Sequence, residues 1–152
     1  MPNAPAQIGL GVTAYTTAQD LTMRQAITVE RLLNTTGRSV HLEDEDQLNA
    51  VTALSGSGPA YVFLFAKTLA EAGRAMGLEN HEAAALVQQT MLGAVQLMYH
   101  SDRTPDELIL AVTSKGGTTQ AAFDVFRSAD LAGTLERGIL AAERRSKELS
   151  QA

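Results

Sequence analysis

Hydrophobic and polar positions change character once along this chain. Upstream of Ala53 the apolar residues come in short runs mixed with charges, and downstream of Tyr61 they run almost without interruption. Over residues 59–76 the charged side chains Lys67, Glu71 and Arg74 fall at i, i+4 and i+7, leaving Tyr61, Val62, Phe63, Leu64, Phe65, Leu69 and Met76 to cover the rest of a helical cylinder. A helix with so narrow a polar stripe is buried on most sides. Gly77 reads as its stop signal, and Asn80 as the cap of a next helix, about residues 81–99, that is apolar almost all round. Two such helices need more cover than the remaining chain supplies. The pattern therefore predicts an interwoven homo-oligomer whose interface resembles a core cut in half.

Three further helical stretches follow. Thr104-Pro105 opens one to about residue 112, a second runs over about 119–127, and the last, about 131–149, carries Leu131, Leu135, Ile139, Ala142 and Leu149 on one stripe. The N-terminal part reads differently. Residues 1–5, with prolines at positions 2 and 5, predict an extended connector, because each proline also restricts the residue before it. Residues 8–16 predict a strand, residues 21–34 a helix capped by Asp20 and stopped by Gly37, and residues 39–42 a second short strand. Such a strand-helix-strand piece is too small to bury a core by itself. The acidic run Glu43-Asp44-Glu45-Asp46 predicts a solvated first turn of a helix that reaches residue 54 and delivers Thr52 to a serine and glycine break.

Composition narrows the function. The 152 residues carry a net charge of -5 with a pI near 5.1, and no Lys/Arg cluster precedes Arg144-Arg145, so the electrostatic footprint of a nucleic-acid partner is missing. With no cysteine there is no disulfide, thiolate metal site or cysteine nucleophile, and His41, His81 and His100 show no metal-ligand spacing. No metal is expected. The first cation is Arg24, which argues against a signal peptide and for the cytoplasm. The uncharged stretch 83–99 contains Gln88, Gln89 and Gln96 and is at the short limit for a span, so a membrane helix is not expected.

Two loops could carry chemistry. In Ser55-Gly56-Ser57-Gly58-Pro59 the proline suits a first helical turn; Ser57 reads either as a plain N-cap or as one wall of a site for a polar ligand at the helix start. The 114–119 loop, Ser-Lys-Gly-Gly-Thr-Thr, is the better anion site, since adjacent glycines let backbone amides approach a ligand and the following helix adds its positive end. It is not a P-loop, because Ser-Lys-Gly-Gly inverts that order, and Ser55 stands where a nucleophile elbow needs glycine. Residues 9–14 match the dinucleotide pattern G-x-G-x-x-A, but a connector precedes them where a strand is required and Tyr15-Thr16-Thr17 follow where a helix should run. Glycines in an edge strand are the expected reading. The intrinsic chemistry is that of holding a small carboxylate or phosphate, without covalent catalysis.

Met1-Pro2-Asn3 with Pro5, the run Asn-Ala-Val-Thr-Ala-Leu-Ser-Gly-Ser-Gly-Pro-Ala-Tyr at 49–61, Met76-Gly77-Leu78, Val112-Thr113-Ser114 followed by Gly116-Gly117-Thr118-Thr119, and the closing Arg145-Ser146-Lys147-Glu148-Leu149 together resemble pyrroline-5-carboxylate reductase, the last enzyme of proline biosynthesis. The resemblance covers essentially the whole chain and matches the C-terminal part of that family. It implies a mainly α fold: residues 1–43 as the β-α-β tail of an NAD(P)-binding Rossmann domain, and residues 44–152 as an all-helical, interlocked dimerisation and substrate-binding domain. It implies hydride transfer from NADPH or NADH to the imine carbon of 1-pyrroline-5-carboxylate, giving L-proline. Carried over by motif, Ser114, Gly116, Gly117, Thr118 and Thr119 would hold the substrate carboxylate, Thr52 would be the catalytic partner of the ring nitrogen, Asn3 would lie near the nicotinamide, and Glu45 and Asp102 would approach cofactor and substrate respectively. Lys115 stands where the family more often has proline, which relaxes the loop and adds a cation. The family's phosphate-binding fingerprint is not among these residues, so the chain alone is expected to be inactive. The alternative is a non-catalytic helical oligomerisation module derived from the family.

Overall fold

A computed structural model describes residues 1–151. The elements, in order, are a 3-10 turn at Ala4–Ile8, strand β1 (Gly11–Tyr15), helix α1 (Met23–Leu33), a 3-10 turn at Asn34–Thr36, strand β2 (Gly37–His41), helix α2 (Gln47–Val51), a π-helical turn at Thr52–Gly56, and helices α3 (Gly58–Ala75), α4 (Asn80–Tyr99), α5 (Pro105–Ala111), α6 (Thr118–Ser128) and α7 (Leu131–Ser150). This is the mainly α chain with a short β-α-β start that the sequence predicts. It divides into two compact units, one of residues 1–62 with the end of α7 from Glu136, the other of residues 63–135.

In the first unit β1 and β2 pair in parallel, Gly11 opposite Gly37 and Tyr15 opposite His41, with α1 as the crossover. Of the glycines in the dinucleotide-like pattern, Gly11 serves this packing, and Gly37 across from it does the same. Gly11 lies so close to the Ala6 backbone that a Cβ would sit 2.7 Å from the Ala6 Cα, and Gly37, at φ 143, has no room for a side chain against the Gly11 carbonyl. Strand β1 starts later than expected, because Pro5 and a left-handed Gly9 (φ 73) fold residues 4–8 into a 3-10 turn where an extended connector and the strand's beginning were predicted. Met1 exchanges both backbone hydrogen bonds with Ala14, at 2.8 and 3.1 Å, as an antiparallel pair does.

Local polar chemistry moved other boundaries. Helix α1 is capped by Thr22, not Asp20: the Thr22 hydroxyl accepts from the Gln25 amide while the Gln25 side chain accepts from the Thr22 amide. Gly37 does not stop α1. The hydroxyls of Thr35 and Thr36 donate to the carbonyls of Leu32 and Leu33, and the chain tightens through the 3-10 turn before β2 begins. Ser57 has helical dihedrals (φ -82, ψ -19) in place of an N-cap's extended backbone, and is a single bend between the π turn and α3.

In the second unit Gly77 (φ 97) ends α3 as predicted, with Leu78 N–H donating to the Gly73 carbonyl and Gly77 N–H to that of Arg74. Helix α4 is capped by Glu79, whose box partner is Glu82, in place of the predicted Asn80. Helices α3 and α4 meet where a Cβ on Gly73 would be 3.2 Å from that of Ala83, which is 1% exposed. Few other apolar side chains are buried. Phe63 is 65% exposed, and Leu64, Leu86, Leu92, Val95 and Leu97 are open to a similar degree, so the apolar faces of α3 and α4 are bare within one chain. Among the described residues no helix is long and apolar enough to cross a membrane, and no three His, Cys, Asp or Glu side chains group as metal ligands.

Candidate functional site

The residues expected to carry chemistry fall in both units. In the first, the turn Thr52–Gly56 is one residue per turn wider than an α-helix. The Ser57 amide, which an α register would give to the Ala53 carbonyl, goes back to Thr52 at 2.9 Å. The Ala53 carbonyl then takes the Tyr61 hydroxyl at 3.1 Å, which matters because Ala53 is 1% exposed and a buried acceptor without a donor is costly. Asn3 ties the turn to the sheet. Its carboxamide oxygen accepts from Val12 N–H at 3.0 Å and its nitrogen donates to Ser55 Oγ at 3.4 Å, while the Met1 side chain fills the space beside Gly56 that a Cβ would need. Asn3 and the Thr52 turn are thus brought together. The half-buried Thr52 hydroxyl donates to the Leu48 carbonyl at 2.7 Å, leaving its lone pairs to accept.

Glu45 is exposed and lines a cleft of about 580 Å³ with Asp46, Leu48, Asn49, Lys147, Ser150 and Gln151. There Ser146 Oγ donates to Asn49 Oδ1 at 2.8 Å, joining α7 to α2. The pattern at 9–14 forms no nucleotide loop: β1 begins at Gly11, and the next helix after it starts only at Met23.

The second unit holds the 114–119 loop and Asp102. Gly116 is left-handed (φ 73), and Gly117, in extended conformation, is the N-cap of α6 without a side-chain cap bond. A Cβ on Gly117 would displace the Ser114 hydroxyl, which lies where it would be. The two glycine amides are engaged internally, Gly116 N–H to Gln120 Oε1 at 2.7 Å and Gly117 N–H to the Ser114 carbonyl at 3.0 Å. The glycines therefore shape the corner. The amides of Thr118 and Thr119, at the first two helical positions, are beyond the reach of any intrahelical carbonyl and sit at the positive end of the helix. With the Ser114, Thr118 and Thr119 hydroxyls around them they suit a carboxylate or a phosphate. Asp102 is exposed in the bend before α5. Close by, the Glu107 carboxylate accepts from both the amide (2.7 Å) and the hydroxyl (2.9 Å) of Thr104, and the amide bond, then the hydroxyl bond, holds that carboxyl below the usual glutamate range.

Tyr61 and Gln120 were missed as supporting residues. Tyr61 looked like core, and nothing in the sequence marks a π turn. Gln120 had a signal, since a Gln three residues after the N-cap is the spacing of a capping box.

The fold and the corner define a class: a helical module with bare apolar faces, a glycine corner at a helix start, and a small parallel β-α-β piece ahead of it in sequence. The chain belongs to the family described as pyrroline-5-carboxylate reductase dimerisation, whose model matches residues 45–149. It is similar to the pyrroline-5-carboxylate reductases of Pseudomonas aeruginosa (39% identical, 99% of this chain and 55% of that protein) and Arabidopsis thaliana (38%, 99% and 54%). Among solved structures, a pyrroline-5-carboxylate reductase from Coxiella burnetii matches with a TM-score of 0.93 (36% identity, 98% of this chain and 55% of that one), and the Plasmodium falciparum pyrroline carboxylate reductase with NADP bound matches at 0.90 (30%, 97% and 60%). The chain spans about half the length of the curated relatives it matches.

Proposed function

We propose that this chain is the substrate-binding and subunit-pairing portion of a cytoplasmic pyrroline-5-carboxylate reductase, which reduces 1-pyrroline-5-carboxylate to L-proline with NADPH or NADH. The observation that carries the reading is the corner at the start of α6, where two internally clasped glycines leave the Thr118 and Thr119 amides and three hydroxyls for a carboxylate. Family membership and relatives named for this activity support it. Residues 1–43 then form the end of a nucleotide-binding domain, residues 44–152 the helical domain, and a second copy covers α3 and α4 in a homodimer or larger assembly. Neither nucleic acid nor membrane takes part.

In this reading the ring nitrogen of the protonated imine donates to Thr52 Oγ, whose own proton is held by the Leu48 carbonyl, so Thr52 orients the ring and stabilises its positive charge. Asn3, fixed between β1 and Ser55, belongs on the nicotinamide side, with Glu45 toward the cofactor and Asp102 toward the substrate. The cofactor, when bound, supplies the hydride. Residues 9–14 do not fit its diphosphate, because Gly11 is packed under Ala6 within a strand, so no hydride step is assigned to them.

A titration of the protein with L-proline, followed through backbone amide NMR shifts, tests the reading. Saturable shifts centred on Thr118 and Thr119 are expected. Shifts scattered elsewhere, or none, would contradict it. Incubated alone with NADPH and the imine acid, the 152-residue chain is expected to make no proline.

A further inference from the structure

Resting on the carboxylate reading above, we infer that Gln120 is a positioning residue of the oxyanion corner: its carboxamide oxygen clasps the Gly116 amide and fixes the loop in the conformation that receives the ligand. In an ordinary capping box the third helical side chain accepts from the amide of the N-cap itself. Here the N-cap is Gly117, yet the side chain of Gln120, at the third helical position, reaches one residue further back to Gly116 at 2.7 Å. The Gly117 amide is thereby left to close a turn on the Ser114 carbonyl at 3.0 Å.

The shift has a purpose in this loop. Gly116 is left-handed, exposed, and has nothing within 4 Å of its would-be Cβ, so no packing holds its φ, and a free glycine samples both signs of φ with similar ease. Two clasps replace packing: Gln120 on Gly116 and Ser114 on Gly117. They also divide the labour among the amides. Those of the glycines are spent on geometry, and those of Thr118 and Thr119 remain for the ligand. A corner ordered before binding does not lose that freedom when the ligand arrives, which is how a residue that need not touch the carboxylate raises affinity for it.

Two variants and two readouts test this. In the unliganded protein, solvent exchange of the Gly116 amide is expected to be slow, to accelerate about tenfold or more in Gln120→Ala, and to stay slow in Gln120→Glu, whose side chain keeps the acceptor. L-Proline, titrated by NMR, is expected to bind Gln120→Ala roughly fivefold more weakly, the loss of one net hydrogen bond's worth of order. Gln120→Glu should bind more weakly at neutral pH, because it sets a negative charge beside the carboxylate, and recover as acidification protonates that glutamate. The Gly116 exchange rate in Gln120→Glu separates the clasp, which that variant keeps, from the charge it adds. Unchanged exchange in Gln120→Ala, or lost protection with unchanged affinity, overturns the inference. Failure of the unsubstituted protein to bind L-proline overturns the carboxylate reading instead, and the ligand-free exchange then still decides whether Gln120 clasps Gly116.

Discussion

Gly37 stands in a space bounded by the Gly11 carbonyl, at a φ of 143 that side chains rarely adopt. The obstacle is backbone on the paired strand, so nothing flexible can give way. Gly37→Ala is expected to destabilise the first unit by on the order of 2 kcal/mol, read as a lower urea midpoint; a midpoint unchanged from the parent would show that the strands part more easily than described. Glu107 makes a second prediction at this scale. Its carboxyl is lowered by the Thr104 amide and hydroxyl, so the stabilisation it lends to the start of α5 is present above the ordinary glutamate range and is lost as pH falls through the lowered folded-state value. Carboxyl-carbon NMR should find Glu107 titrating below that range and find Thr104→Ala, which keeps the amide and loses only the hydroxyl, moving it part of the way back up. An ordinary titration in the parent protein would contradict the capping geometry.

At the scale of elements, the π turn is where the chain departs most from its pattern. Helix α2 is only five residues long, too short for the pattern to reveal the phase shift that one inserted residue makes. What sustains the insertion is remote: the Tyr61 hydroxyl on the Ala53 carbonyl, and Asn3 on Ser55. Tyr61→Phe keeps the ring and removes the donor, and is expected to cost about 1 to 3 kcal/mol in urea or thermal unfolding, since it leaves a buried carbonyl unpaired. A neutral result would mean that another donor replaces it.

The same contrast explains what could be read in advance. Helices α4 to α7 are long or well punctuated by Thr104-Pro105 and the glycine pair, and their extents follow the sequence within a few residues. Caps were less legible. Asp20, Asn80 and Ser57 are good capping residues by type, but Thr22 with Gln25 and Glu79 with Glu82 win because each pair satisfies two backbone groups at once. The 114–119 corner was legible as a glycine turn running into a helix start because glycine and threonine chemistry is local. The engagement of its two glycine amides was not, since it depends on a side chain from the next turn and on a loop carbonyl.

For the whole molecule, the deciding quantity is the apolar surface that one chain leaves bare. Phe63 and Leu92 are each more than half exposed on helices that carry few charges. Scattered exposed leucines are ordinary, but contiguous apolar faces on two long helices mark an interaction surface. Light scattering is expected to find dimers or larger species, and Leu92→Asp to shift them toward monomer with a clear loss of stability. At a solvent position the same change would alter stability by less than about 0.5 kcal/mol. A stable monomer in the parent protein would remove the second copy from the account. The central claim is chemical, however, and the most direct measurement is a crystal structure of this chain grown with L-proline. The account predicts the ligand's carboxylate oxygens within hydrogen-bonding distance of the Thr118 and Thr119 amides, with the Gln120 oxygen still on Gly116. A carboxylate bound elsewhere while that corner stays closed to it would contradict the account.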